Sequence, residues 1–277
     1  MSASTFDPDL DRRLEEHRGE LRAYCYRMLA SPFDAEDAAQ ETLVKAWKSY
    51  ADFEQRSSLR SWLYRIATNV CLDMLRSSQR RARPMDLGPS GEPIAENLHL
   101  RDEATWLEPA PDTLLGAPAQ DPADEAVAHD SIRLAFVAAL QHLPPKQRAA
   151  LILCEVLQWK AAEVADLLDT TSASVNSALQ RARATLEQKK SQPGTSATEL
   201  SDGERALLVR YVKAFEAYDV GALTDLLRED AIQSMPPYDL WLAGRDDIFA
   251  WWFGPGIGCK GSRVIPAGAA NGSPAYG

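Results

Sequence analysis

The sequence predicts a multi-domain chain: two all-helical domains, the second carrying a helix-turn-helix, followed by a partial α+β domain. Three observations carry this. Apolar residues recur at helical spacing in two blocks, from Leu10 to Met74 and from Ile132 to Leu186. Between the blocks, residues 84–123 hold seven prolines and three glycines and lose that spacing. Beyond residue 200, helical stretches are mixed with short strand-like runs. A length of 277 residues suits two or three domains. The expected divisions are 7–83, a linker 84–123, 124–190, a short linker 191–200, and 201–277.

In the first block Leu10, Leu14, Leu21, Tyr24 and Met28 share one helical face, and Ser31-Pro32 stops that helix. A second helix is expected from Asp34, whose carboxylate can cap it, with Ala38, Leu43, Ala46 and Trp47 as its stripe. Leu59, Leu63, Ile66, Val70 and Met74 then step by four, three, four and four, a long amphipathic helix running towards Arg76. In the second block Ile132, Phe136, Ala139, Leu140 and Leu143 form one stretch. It breaks at Pro144-Pro145 and resumes through Ala149, Ile152, Leu153 and Val156. Two shorter helices, Ala161 to Leu168 and Ser172 to Gln188, are separated by Asp169-Thr170-Thr171, the spacing of a helix-turn-helix. In the second of these, Val175, Leu179, Ala182 and Leu186 face the core, which turns Ser174, Asn176, Ser177, Gln180, Arg181 and Arg183 outward.

The last part differs in kind. A helix with Leu207, Tyr211, Phe215 and Tyr218 precedes an Asp219-capped helix from Val220 to Leu227. An apolar stretch Ala231 to Met235, a helix around Ile248 to Phe253 and a strand-like Arg263 to Pro266 follow. Asn271-Gly272 reads as a hairpin turn, yet only five residues follow it, so the sheet is expected to be incomplete.

Charge is unevenly spread. The net −10 conceals +6 over residues 56–85, −10 over 86–130 and +3 over 131–190. Two basic segments around an acidic one suit two polyanion contacts on one chain, or else three separate solvated surfaces. No apolar run approaches the roughly 20 residues of a membrane span, and the N-terminus has no apolar signal core, so a cytoplasmic protein is expected. Cys25, Cys71, Cys154 and Cys259 stand singly, which excludes a zinc ribbon or disulfide scaffold; no metal or other cofactor is expected.

Asp34-Ala-Glu-Asp37-Ala-Ala-Gln40-Glu41 with Thr42 to Trp47, then Leu59-Arg-Ser-Trp62-Leu-Tyr-Arg-Ile-Ala67-Thr-Asn69, Asp73 and Leu75-Arg76, closely resembles region two of bacterial sigma factors. Leu143-Pro-Pro-Lys-Gln-Arg148, Ala161 to Ala165 and Val175 to Arg183 resemble region four. Together they resemble an extracytoplasmic-function sigma factor, which keeps only these two regions.

The resemblance implies roles. Asp37, Gln40 and Glu41, at i, i+3 and i+4 on one helix face, match the positions that grip the β′ clamp helices of core RNA polymerase; the β subunit and promoter DNA are the other implied partners. Arg60, Tyr64, Asn69, Asp73, Arg76 and Arg80 fall on or near the reader of the minus-ten element, where aromatics and arginines suit unstacked bases and phosphate. Trp62 reads as core rather than as a base contact. Arg80, Arg81 and Arg83 fit phosphate contact and simple solvation equally. Ser172, Ser174, Asn176, Ser177, Gln180, Arg181 and Arg183 are the implied minus-thirty-five contacts. Many such factors carry basic residues where this chain has Asn176 and Ala178, so independent binding of this helix is expected to be weak. Forty linker residues as a free coil would span roughly 32–38 Å, short of the roughly 70 Å between promoter elements two helical turns apart. In related factors this stretch threads polymerase channels, where the acidic residues of 86–130 can mimic a polyanion; a merely soluble tether fits as well.

Leu226-Leu-Arg-Glu-Asp-Ala231 and Gly244-Arg-Asp-Asp-Ile248 resemble the start of a SnoaL-like domain of the nuclear-transport-factor type, a cone of curved sheet over helices. Some such domains are enzymes, which makes an acid-base cyclase or isomerase fused to a DNA-binding unit the main alternative. Against it, His17, His99, His129 and His142 all lie outside residues 191–277, and nothing singles out Asp225 or Asp239 as a base. The expected role of this domain is to modulate sigma activity, without catalysis. An ordinary helix-turn-helix regulator would leave the region-two resemblance unexplained. Promoter sequence, inducing signal and any separate anti-sigma factor are not legible in the residues.

Overall fold

A computed structural model describes residues 8–53, 57–77, 80–115, 133–188 and 201–277. They divide into two compact units. One draws on residues 1–80, 108–194 and 270–272, the other on 81–107, 195–269 and 273–277. The expected short linker 191–200 and residues 116–132 lie outside the described residues.

The first unit is helical. Its elements are α1 (Pro8–Glu15), α2 (Arg18–Leu29), α3 (Pro32–Ser49), α4 (Leu59–Ser77), α5 (Leu134–Leu140), α6 (Pro145–Leu151), α7 (Ala161–Leu167) and α8 (Ser172–Gln188). The single first helix expected from Leu10 to Met28 is two, broken at Glu16-His17. Gly19 sits in the first turn of α2, where its conformational freedom weakens a continuous helix. Both pieces keep an apolar face, so periodicity alone runs straight across the break. Nor does Asp34 cap α3. Ser31 does, its hydroxyl accepting from the Asp34 N–H at 3.3 Å, with Pro32 in the first turn where a missing N–H costs nothing.

Leu21, Tyr24 and Met28 of α2, the alanines 35, 38 and 39 of α3, and Leu63, Ala67 and Val70 of α4 make one core. Small residues on α3 let the helices approach closely, and buried Tyr24 is satisfied by Thr68 at 2.7 Å. Past the linker, α6 packs against α8, whose Val175, Leu179 and Ala182 are buried, and Val137, Leu140, Ala149, Ile152 and Leu153 are buried as well. After α6 the chain widens into a π turn, Ile152–Val156, closed by the Leu157 N–H on the Ile152 carbonyl at 3.0 Å.

Residues 84–107, read above as part of a free linker, are folded into the second unit. Ala82 and Leu107 exchange backbone bonds with Thr105 and Ala82, at 2.8 and 3.0 Å. Gly91 N–H donates to the Trp241 carbonyl and the Trp241 indole N–H to Gly88. Arg101 and Asp239 pair at 2.7 Å, and Leu98 joins a core of Leu240, Leu242, Ile248 and Trp251. Proline and acid content signal an absence of long helices, which is a weaker property than an absence of fold.

The rest of this unit comprises α9 (Asp202–Ala217), α10 (Val220–Leu226), β1 (Ile232–Ser234), β2 (Trp241–Ala243), α11 (Arg245–Phe253), β3 (Pro266–Ala270) and β4 (Ser273–Tyr276). β1 and β2 pair antiparallel with Gln233 opposite Leu242. Asp219 caps α10, accepting from Ala222 N–H at 3.1 Å. The strand expected at Arg263 to Pro266 begins instead at Pro266. The hairpin expected to lack its second strand has one: the residues after Asn271-Gly272 pair with β3, and both turn residues hold the positive φ (50° and 71°) that a tight hairpin turn demands. Strands of four and five residues suffice to close it, so the number of residues after the turn was a poor guide.

Candidate nucleic-acid interface

Asp37, Gln40 and Glu41 stand exposed on α3, while the intervening Ala38 and Ala39 are buried. The face is polar because those three side chains point away from the α2–α4 core. Gln40 accepts from Arg18 at 2.8 Å and Glu41 pairs with Lys45 at 2.7 Å. Such exposed pairs stabilise little, leaving the groups available to a partner.

Along α4 the implied minus-ten residues separate by burial. Asn69, Asp73, Arg76 and Arg80 are exposed. Asp73 and Arg76 pair at 2.7 Å, and Arg80 meets His142 at 2.9 Å. Arg60 is half-buried and Tyr64 is wholly buried. Tyr64 donates to Glu20 at 3.1 Å, lies edge-on to Tyr24, and lies edge-on to Trp159 with ring centres 5.2 Å apart. Tyr64 is therefore a core group in this arrangement, not the exposed stacking surface expected from its type. Burial drives its hydroxyl pKa far upward. Arg60 binds Glu20 at 2.7 Å and lies over both the Tyr64 and Trp159 rings. Burial alone would raise the Glu20 carboxyl, but hydrogen bonds from His17 and Arg60 hold it below the usual range. Trp62 stacks on Phe53 at 4.8 Å, half-buried, as a packing residue.

On α8, Ser172, Ser174, Asn176, Ser177, Gln180, Arg181 and Arg183 are all exposed, and Val175, Leu179 and Ala182 are buried. Thr171 caps the helix, its hydroxyl accepting from Ser174 N–H at 3.2 Å. Arg183 pairs with Glu155. Seven polar side chains on one face of a helix-turn-helix offer donors to phosphates and base edges together.

Four residues with no role expected from type or spacing hold this unit together. Arg148 is buried and donates to the carbonyls of Met28, Gln141 and Leu143 and to Gln141 Oε1, joining the turn before α6 to the end of α2. No carboxylate is among these partners, and burial lowers its pKa to about 10. Trp159 covers Arg60 and Tyr64, and Arg65 donates to the Asp166 carbonyl at 2.9 Å. Asn271 is buried: its Oδ1 accepts from Tyr26 hydroxyl at 3.1 Å and Ala110 N–H at 2.8 Å. A buried arginine in a Pro-Pro-Lys-Gln-Arg run was the one detectable signal, since helix periodicity sends that position inward.

No group of His, Cys, Asp or Glu among the described residues is arranged to hold a metal, and no described helix is long and apolar enough to cross a membrane.

Sigma-70 region 2 matches residues 14–81 and sigma-70 region 4 matches 133–186. Over 248 residues the chain is 50% identical to the ECF RNA polymerase sigma factor SigG of Mycobacterium tuberculosis, a match covering 87% of this chain and 65% of that protein. It is 32% identical over 177 residues to the ECF RNA polymerase sigma factor SigE of Mycolicibacterium smegmatis, covering 64% of this chain and 59% of that one. The chain thus spans somewhat under two thirds of these relatives. Among solved structures, the crystal structure of Mycobacterium tuberculosis SigJ superposes with a TM-score of 0.58 at 22% identity, over 96% of this chain and 83% of that one, a likeness of fold.

Proposed function

We propose that this chain, a sigma factor of the extracytoplasmic-function type with sigma-70 regions 2 and 4 in order, binds core RNA polymerase and directs it to promoter DNA for initiation. The observation that carries this is the outward polar face of α8 on a helix-turn-helix, in one chain with the exposed Asp37, Gln40 and Glu41 of α3. In this reading those three groups grip the β′ clamp helices, the α4 groups read the opened minus-ten strand, and α8 reads the minus-thirty-five element. DNA affinity of α8 alone is weak, because only Arg181 and Arg183 among its implied contacts are cationic. Tethering both DNA-binding domains on polymerase supplies the rest.

The second unit is read as SnoaL-like and modulatory. The enzymatic alternative loses support at Asp239, which is nearly buried and held by Arg101, so a free base is not on offer there. Run-off transcription with core polymerase on genomic fragments tests the main reading: promoter-specific transcripts are expected, and folded protein that fails to comigrate with core polymerase in gel filtration would sink it. Deleting residues 199–277 should change transcript yield from a cognate promoter without abolishing polymerase binding.

A further inference from the structure

The buried face of α8, Val175, Leu179 and Ala182, fixes the direction of every other side chain on that 17-residue helix. At about 100° per residue, Ala173, Ser177, Gln180 and Ala184 form a row on the side away from the core, and all four are exposed. Three of them are small. A row of short side chains lets a helix sit deep in a major groove about 12 Å wide, and Gln180 is the one long group in it. Asn176, one turn before Gln180, is its exposed neighbour. The cations lie elsewhere: at the same pitch Arg181 falls to one side of the row and Arg183 to the other. Phosphates demand that placement, since the two backbones wall the groove and the bases form its floor.

Hydrogen bonding separates the same groups. Arg183 is held by Glu155, and the Ser174 hydroxyl meets that of Thr171 at 3.0 Å. Neither the Asn176 nor the Gln180 carboxamide is hydrogen-bonded among the described residues. A carboxamide offers an acceptor and a donor side by side. In the major groove adenine presents the converse pair, an N7 acceptor beside an N6 amino donor. Guanine presents two acceptors, N7 and O6, and calls for two donors such as an arginine fork. With both arginines turned to the walls, the part of α8 that faces the floor matches adenine and leaves guanine unpaired.

Resting on the reading of α8 as the minus-thirty-five helix, we infer that Gln180, with Asn176 beside it, sets a requirement for adenine in that element. The Gln180 Nε2 amide donates to adenine N7, and its Oε1 accepts from the N6 amino group. Guanine in that place sets O6 against Oε1, two acceptors facing each other, and a pyrimidine removes half of the pair.

The test uses holoenzyme, the full chain on core polymerase, with a promoter selected by run-off transcription from genomic fragments. Each upstream base pair is replaced in turn, and binding is measured by fluorescence anisotropy at fixed salt. At one adenine, replacement by guanine should weaken binding about 5- to 150-fold. At the same position 7-deazaadenine, which lacks N7 but keeps its base pairing, should weaken it about three- to tenfold, the size of one hydrogen bond. Gln180→Ala should bind the adenine promoter more weakly and be indifferent to 7-deazaadenine. Gln180→Arg should exchange adenine for guanine as the preferred base at that position alone. The comparison of adenine with 7-deazaadenine needs no variant, so a misfolded mutant does not weaken it. No upstream adenine requirement, tolerance of 7-deazaadenine at every upstream adenine, or an adenine preference that survives Gln180→Ala would each overturn the assignment. In those cases α8 remains the reader so long as Arg181→Ala or Arg183→Ala still weakens upstream binding; an upstream region in which no replacement and neither arginine matters would overturn that reading as well.

Discussion

Trp159→Ala should loosen the contact between the α4 and α7 ends of the first unit. The indole makes two contacts there: an edge-to-face pair with Tyr64 at 5.2 Å and a cation–π contact with Arg60 at 5.8 Å. The aromatic pair is worth about 0.5–1.5 kcal/mol and the cation–π contact, at a half-exposed arginine, about 0.5–1 kcal/mol. Their loss, about 1–2.5 kcal/mol, moves the closed-to-parted equilibrium about 5- to 60-fold. Amide hydrogen exchange around residues 59–66 and 161–167 should quicken by that factor, and the scattering radius of the free chain should grow. Arg60 and Tyr64 are covered in the closed form, so affinity for a single-stranded minus-ten oligonucleotide should rise in step. Trp62→Ala, which removes a stack on Phe53 instead, should do neither. If Trp159→Ala leaves exchange, radius and oligonucleotide affinity unaltered, the covering contact has no energetic weight and the reasoning fails.

Other outcomes follow from the same geometry. Replacing Asp37, Gln40 and Glu41 together by Ala should weaken core-polymerase binding at least about tenfold with helicity intact, because these exposed groups bury no apolar area; gel filtration and circular dichroism read both. Arg148→Met should cost about 2–4 kcal/mol in urea unfolding, since several buried carbonyl oxygens lose their donor, partly offset by the guanidinium no longer being desolvated. Glu20, with its folded pKa depressed, contributes stability that is complete above the ordinary carboxylate range and lost as pH falls through the folded value. Urea midpoints should therefore drop on acidification below about pH 4–5, and Glu20→Gln should flatten that limb. Arg181→Ala or Arg183→Ala should lower the salt slope of holoenzyme binding by about one if the contact is to phosphate, or cost about 1–3 kcal/mol at one promoter position if it is to a base. No change from either variant would mean that α8 meets DNA through another face.

Much of the first unit was legible because helices report their buried face locally. Val175, Leu179 and Ala182 go inward and Arg181 and Arg183 outward by period alone, and Ser172 begins the helix where composition says it should. Local chemistry decided less than expected at the ends: Ser31 took the cap that Asp34 was equally fitted to take, because Pro32 sets the first turn one step earlier. Residues 84–107 show the sharper limit. Their prolines forbid long helices, but whether they trail as a coil or fold depends on partners such as Trp241 and Asp239, some 140 to 150 residues on, that no local signal announces. Tyr64 is the same lesson at a single side chain. Its ring suits stacking on a base, and the resemblance to region two puts it on or near the implied reader of the minus-ten strand. Tyr24 and Glu20, some 40 positions back, and Trp159, 95 positions on, are brought by the fold against that ring and turn it into core. Helical period and capping chemistry are properties of neighbouring residues and were written in the sequence; burial is a property of distant ones and waited for the tertiary structure.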